Sequence, residues 1–138
     1  MKNLKKTFLM FVLMTGFILA VNLSATAQST RISFAKGASE KTISVTIPAN
    51  GKKKFILSVG LNQAINVNAL TNQNLSELSF NLMNSVRADK FEDYEGGLTV
   101  LTGGKGDYGF SVSNNSKKSR TFNMKVRVGN ASEYEGGQ

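Results

Sequence analysis

The chain has 138 residues, with 17 Lys and Arg against 9 Asp and Glu for a formal charge of +8, and it contains no Cys, no His and no Trp. Those absences exclude a disulfide framework, every thiolate or imidazole metal site, and every catalytic triad or dyad built on His or Cys. Carboxylates, Lys, Tyr and Ser remain as the only catalytic groups, the length provides for one domain with an ordinary core, and the composition argues against an enzyme.

Residues 1–27 read as a cleavable secretory signal peptide. Lys2, Lys5 and Lys6 form the basic start, Phe8 to Val21 an apolar run, and Ala25-Thr26-Ala27 a small-residue cleavage site, so a mature domain spans 28–138. The rival reading, a permanent anchor, needs roughly 20 apolar residues, whereas this run has about 14. With no Cys there is no site for lipidation, and no membrane insertion is expected after cleavage; the location implied is periplasmic or secreted. The leader carries three of the lysines and no acid, so the net charge of 28–138 falls to +5. Its basic residues are dispersed, which argues against nucleic acid as a partner.

Beyond the leader, apolar residues alternate with polar ones instead of recurring at helical spacing. The runs are Ile32 and Phe34; Ile43, Val45 and Ile47; Phe55, Leu57 and Val59; Ile65, Val67 and Ala69; Leu78, Phe80 and Leu82; Leu98 and Val100; Tyr108, Phe110 and Val112; and Phe122, Met124, Val126 and Val128. Turn residues separate them, among them Pro48-Ala49-Asn50-Gly51, Gly103-Gly104-Lys105-Gly106 and Asn114-Asn115-Ser116. About eight short strands, each with one apolar face, call for an all-β, antiparallel β-sandwich; a closed barrel is the alternative. Between Ser85 and Gly97 the charges Arg87, Asp89, Lys90, Glu92, Asp93 and Glu95 leave only Val86, Phe91 and Tyr94 to bury. That stretch is expected to be a long exposed loop or an irregular edge strand, whose charges discourage edge-to-edge pairing.

Several short elements occur together. They are Arg31-Ile32-Ser33-Phe34 followed by Gly37-Ala38-Ser39, then Phe55 to Val59, Asn62-Gln63-Ala64-Ile65-Asn66-Val67, Phe80-Asn81-Leu82, Lys105-Gly106-Asp107-Tyr108, and the closing Phe122 to Val128. In this order they resemble the periplasmic inhibitors of goose-type lysozyme and related small exported β-sandwich domains of the pre-peptidase C-terminal type. Asn62 stands where the inhibitors usually carry Gly, and Lys105 where a Ser is usual. The resemblance implies a lysozyme as protein partner and assigns contact with its active-site cleft to Lys105, Gly106, Asp107 and Tyr108. Glycine allows the tight protruding backbone that a narrow cleft demands, and a tyrosine brings contact area with a hydroxyl. Asp107 would oppose catalytic carboxylates unless it points away. The same four residues also make an ordinary sandwich corner, with Tyr108 entering the core in phase with Phe110 and Val112.

Other candidates are weaker. Lys52-Lys53-Lys54 and Lys117-Lys118-Ser119-Arg120 would form either a basic patch for an anionic envelope polymer or two solvated turns. Asp89, Glu92, Asp93 and Glu95 lack the spacing of a calcium loop, so no metal and no cofactor is expected; they would form a solvated loop or, alternatively, meet the basic surface of a lysozyme. None of the acids lies in an apolar strand that would raise its pKa for glycoside hydrolysis. Asp93-Tyr94-Glu95-Gly96-Gly97 is echoed by Glu133-Tyr134-Glu135-Gly136-Gly137, one echo being no solenoid repeat. Asn74, Asn114 and Asn130 head N-x-Ser sequons. The functional expectation is an exported, non-enzymatic inhibitor of goose-type lysozyme acting by loop insertion. The alternative is a secreted binding module for cell-envelope or carbohydrate ligands, for which exposed aromatic rings are scarce. Oligomeric state is left open.

Overall fold

The computed structural model describes residues 28–71, 73–83 and 88–135, so the expected leader lies outside the described residues. The alternating runs become strands: β1 (Ser29–Arg31), β2 (Glu40–Ile47), β3 (Lys52–Val59), β4 (Gln63–Leu70), β5 (Leu78–Leu82), β6 (Ala88–Tyr94), β7 (Gly97–Thr102), β8 (Gly106–Asn114) and β9 (Arg120–Asn130). A single 3₁₀ turn at Leu75–Glu77 and a one-turn helix α1 (Ser132–Glu135) are the helical pieces among the described residues. Two sheets result, one in the order β1-β3-β8-β5 and one in the order β2-β9-β4-β7-β6. All pairings are antiparallel except the short parallel pair of β1 with β3. The all-β sandwich expected from the alternation is what forms.

Period-two alternation decides which side chains enter the space between the sheets. From β3 come Phe55, Leu57 and Val59; from β8, Tyr108, Phe110 and Val112; from β9, Phe122, Met124 and Val126, all buried. Phe55 and Phe110 are directly opposed in register and stack with ring centroids 5.3 Å apart. A fully buried Leu, Ile, Val or Phe contributes about 1.5–3 kcal/mol. Surface ion pairs such as Lys90–Glu92 and Lys125–Glu40 contribute under about 1 kcal/mol. With no cysteine in the chain, the core therefore dominates stability.

Two segments differ from the alternation reading. The first strand ends at Arg31, with Ile32 buried just beyond it and its N–H donated to the Ile56 carbonyl at 2.8 Å. Phe34 lies in the following loop, half-buried against the core. The charged stretch yields a ninth strand, β6, at the edge of the five-stranded sheet, with a register shift between Ala88 and Lys90. It is the irregular edge strand of the two forms expected. Almost every residue of it is exposed, which is why its alternation is faint.

Consecutive strands lie in different sheets except β6 and β7, so nearly every connection crosses the sandwich at one of its two ends. At one end Asn114 is fully buried and acts as a clasp. Its Nδ2 donates to the carbonyls of Ile47, Pro48 and Lys118 at 3.1, 3.2 and 2.8 Å, and its Oδ1 accepts from the N–H and hydroxyl of Ser116 at 3.0 and 2.7 Å. Beside it Arg120, also buried, donates to the carbonyls of Asn74 (2.8 Å) and Gln73 (3.1 Å) and pairs with Glu77 at 3.1 Å. Among the described residues no buried side-chain nitrogen or oxygen lacks a partner. The opposite end carries the loops that matter below.

Candidate functional site

The connection from β7 to β8, residues 103–105, passes from one sheet to the other and is held from both sides. On the β7 side Thr102, 1 % exposed, donates its hydroxyl to the Gly60 carbonyl at 2.8 Å and accepts the Gln63 N–H at 3.0 Å. Asn62, at φ 56°, donates its N–H to the Thr102 carbonyl at 3.2 Å and accepts that of Ala131 at 3.1 Å. The β3–β4 turn, the β7–β8 turn and the start of α1 are thereby knitted together. On the β8 side Gly106 has φ 152°, a conformation that strains any residue with a Cβ.

The four residues singled out by the resemblance fall on this segment with different fates. Lys105 is exposed at the turn and Gly106 is half-buried. Tyr108 is 1 % exposed, its ring in the core and its hydroxyl donating to the Gly104 carbonyl at 2.6 Å. The tyrosine is thus a brace beneath the turn. A 2.6 Å bond from a buried phenol fixes the backbone of the residue just before Lys105.

Asp107 points out of the sandwich. Its carboxylate receives two bonds from the Arg31 guanidinium, Nη1 to Oδ1 at 3.2 Å and Nη2 to Oδ2 at 2.7 Å, and one from the Ser58 hydroxyl. Arg31 also donates to Ser58 at 3.3 Å. The hydrogen bonds to Asp107, then its charge, raise the Arg31 pKa above the ordinary arginine value. Both side chains are about half exposed, so solvent screens the pair and its use is positional. Fork-on-fork geometry holds the carboxylate flat against the outer face, away from the turn. Arg31 and Ser58 were not marked as site residues by sequence reasoning. Arg31 stands at the head of the recognised opening motif, but only the register of β1, β3 and β8 brings these three groups together.

The remaining candidates lie elsewhere. The turns next to the two basic stretches meet at the clasped end, where Asn50 N–H bonds the Ser116 carbonyl at 3.1 Å, but Arg120 is buried and committed to the 3₁₀ turn. A polar recess of about 600 Å³ beside it includes Lys117, Lys118, Glu77 and Asn74. The acids of β6 are strung along an exposed edge, and among the described residues no group of three or more Asp or Glu converges as a metal site. Asn114, head of one sequon, is fully buried. No described helix is long and apolar enough to cross a membrane.

The two-sheet sandwich has counterparts among solved proteins. PliG from Aeromonas hydrophila, described as a periplasmic inhibitor of g-type lysozyme, is similar with a TM-score of 0.55 at 16% identity, over 74% of this chain and 95% of that one. PliG from Salmonella Typhimurium gives 0.55 at 15% identity, over 75% and 99%. A pre-peptidase C-terminal domain of collagenase from Bacillus anthracis gives 0.48 at 12% identity, over 76% and 98%. No family model matches the chain, and neither does any curated protein sequence. The class defined is therefore the antiparallel β-sandwich. Within it, the fold of this chain is that of the PliG lysozyme inhibitors.

Proposed function

We propose that the chain is a non-catalytic inhibitor of lysozyme, exported to the periplasm or beyond, and that it acts on the goose-type enzyme. The observation that carries this reading is the likeness of fold to PliG proteins across nearly their whole length, 95% of one and 99% of another. The β7–β8 turn is the part offered to the lysozyme cleft. Lys105 leads, Gly106 allows close approach of the backbone, and Asp107 is neutralised on the flank by Arg31. Tyr108 contributes from beneath by holding Gly104. A cation at the tip suits a cleft whose working groups are carboxylates, and a turn ordered beforehand loses little entropy on insertion. Inhibition is then occlusion of the cleft, with no covalent step.

The test titrates the purified protein into goose-type, hen-type and invertebrate-type lysozyme assays. Inhibition of the goose-type enzyme alone, weakened at least about tenfold by Lys105→Glu with an unchanged melting curve, is the result expected. Failure to inhibit any of the three at micromolar concentration sinks the proposal.

A further inference from the structure

The outer face of the five-stranded sheet takes no part in the braced turn, and its layout follows from register. One cross-strand row runs Thr42, Lys125, Asn68, Gly97, Tyr94; the next runs Glu40, Arg127, Asn66, Thr99, Glu92. Tyr94, on the edge strand, leans over its neighbour Gly97. A Cβ at residue 97 would stand 2.7 Å from Tyr94 Cε2, 2.9 Å from its Cζ and 2.3 Å from the Val67 carbonyl oxygen, so the ring fills the space that only glycine leaves. The ring is held there by amides. Its hydroxyl donates to Asn68 Oδ1 at 2.8 Å and accepts from Asn66 Nδ2 at 3.2 Å. Asn66 also donates to Thr99 Oγ1 at 2.9 Å, and Asn68 Nδ2 bonds Asn66 Oδ1. Even so, Tyr94 remains 43% exposed.

A second tyrosine touches the same face. Gly129 of β9 faces outward on the same sheet, and a Cβ there would meet Tyr134 Cε2 at 3.6 Å and its Oη at 4.0 Å. Tyr94 covers a glycine inside the echoed segment, whereas Tyr134 touches Gly129, which precedes its own segment, so both tyrosines lie on one sheet face. Gly97 pairs with Asn68, whereas Gly129 pairs with Ala64, four residues along and two strands over. Strand rise and spacing place the two glycines about 16 Å apart.

We infer that this face is a binding site for an extended, uncharged β-1,4-linked glycan. A pyranose presents an apolar C–H face, which packs on an aromatic ring, and a rim of hydroxyls, which fits planar amides and a guanidinium. Tyr94 and Tyr134 supply the rings; the second N–H of Asn68, the Thr99 hydroxyl proton and Arg127 supply donors between them, while both Asn66 N–H groups are committed to Tyr94 and Thr99. The charges on the face are paired, Lys125 with Glu40 at 3.3 Å and Arg127 with Glu133 at 3.8 Å, so the field favours a neutral polymer over an anionic one. Leu70 and Leu101 are its large aliphatic residues, too few for the apolar centre of a protein interface.

Chitohexaose and cellohexaose are the probes, titrated into the purified protein with tyrosine fluorescence and amide chemical shifts as readouts. Saturable binding of at least one, with shifts confined to Tyr94, Tyr134 and the outer positions of β4, β7 and β9, is expected. Tyr94→Ala and Tyr134→Ala should each weaken it about tenfold, while Lys105→Glu leaves it unchanged. The inference is overturned if neither sugar binds at millimolar concentration. Shifts that map elsewhere, or a response to dextran sulfate alone, overturn it equally.

Discussion

Tyr108 joins the fold to the proposed site, and substituting it separates the two roles. Tyr108→Phe keeps the buried ring and removes the 2.6 Å bond to the Gly104 carbonyl. Loss of such a bond costs about 1 kcal/mol. At a urea m-value of about 1–3 kcal/mol/M, the midpoint falls by roughly 0.3–1 M with the slope unchanged. The amides of Gly103 to Gly106 should exchange faster, because the turn above the phenol has lost its brace, while those of β9 stay protected. Tyr108→Ala is a different perturbation. Emptying a site only 1 % exposed costs about 3–5 kcal/mol, a large part of the 5–15 kcal/mol typical of a whole domain, and should leave much of the protein unfolded at 37 °C. Circular dichroism in urea, with hydrogen exchange on the phenylalanine variant, decides the matter. A Tyr108→Ala protein that melts like the wild type would refute the reasoning, since it would mean that the ring is not part of the core.

The other predictions concern the clasp, the tyrosine-covered glycine, the edge and the outer ion pair. Asn114→Ala removes three donated and two accepted hydrogen bonds from a fully buried site. It should cost about 2–4 kcal/mol, read from the urea midpoint. Gly97→Ala pushes a methyl into Tyr94 and the Val67 carbonyl, costing about 1–3 kcal/mol and displacing the ring, visible in the tyrosine emission. Lys90→Val with Glu92→Val strips charge from the exposed edge strand β6 and should promote aggregation, seen by light scattering and size-exclusion chromatography. Arg31→Gln, at a screened surface pair, should leave the urea midpoint at high salt where it was.

Strands with one face against the core and one against water announced themselves in the sequence. Val45 and Ile47 alternate with Thr46, and Phe122, Met124 and Val126 with Asn123 and Lys125, because burial imposes the period on residue choice. The phase of Tyr108 with Phe110 and Val112 likewise pointed inward, although the resemblance pointed the same residue at a partner. β6 was harder to read because an edge strand exposed on both sides is under little apolar constraint. Buried polar residues were not legible at all. Asn114 and Arg120 look like ordinary turn residues until the β2–β3 turn and the 3₁₀ turn, dozens of positions earlier in the chain, present carbonyls to them. The Arg31–Ser58–Asp107 cluster and the two tyrosine-covered glycines depend on register between strands in the same way, and register is not a local property of the chain.

The unequal ends of the sandwich give the molecule the economy of a tool with a handle and interchangeable bits. Asn114 and Arg120 tie three separate segments at the clasped end, 47–48, 73–77 and 114–120, so an insertion between 115 and 119 would cut several ties at once. At the other end the β3–β4 and β7–β8 turns are joined to the frame chiefly through Thr102, Asn62 and Tyr108, all of which can stay while residues 103–105 are replaced. Variation over generations, or grafting in the laboratory, therefore has a place where new recognition surfaces can be tried without rebuilding the framework, and an affinity tag belongs nowhere near residue 114.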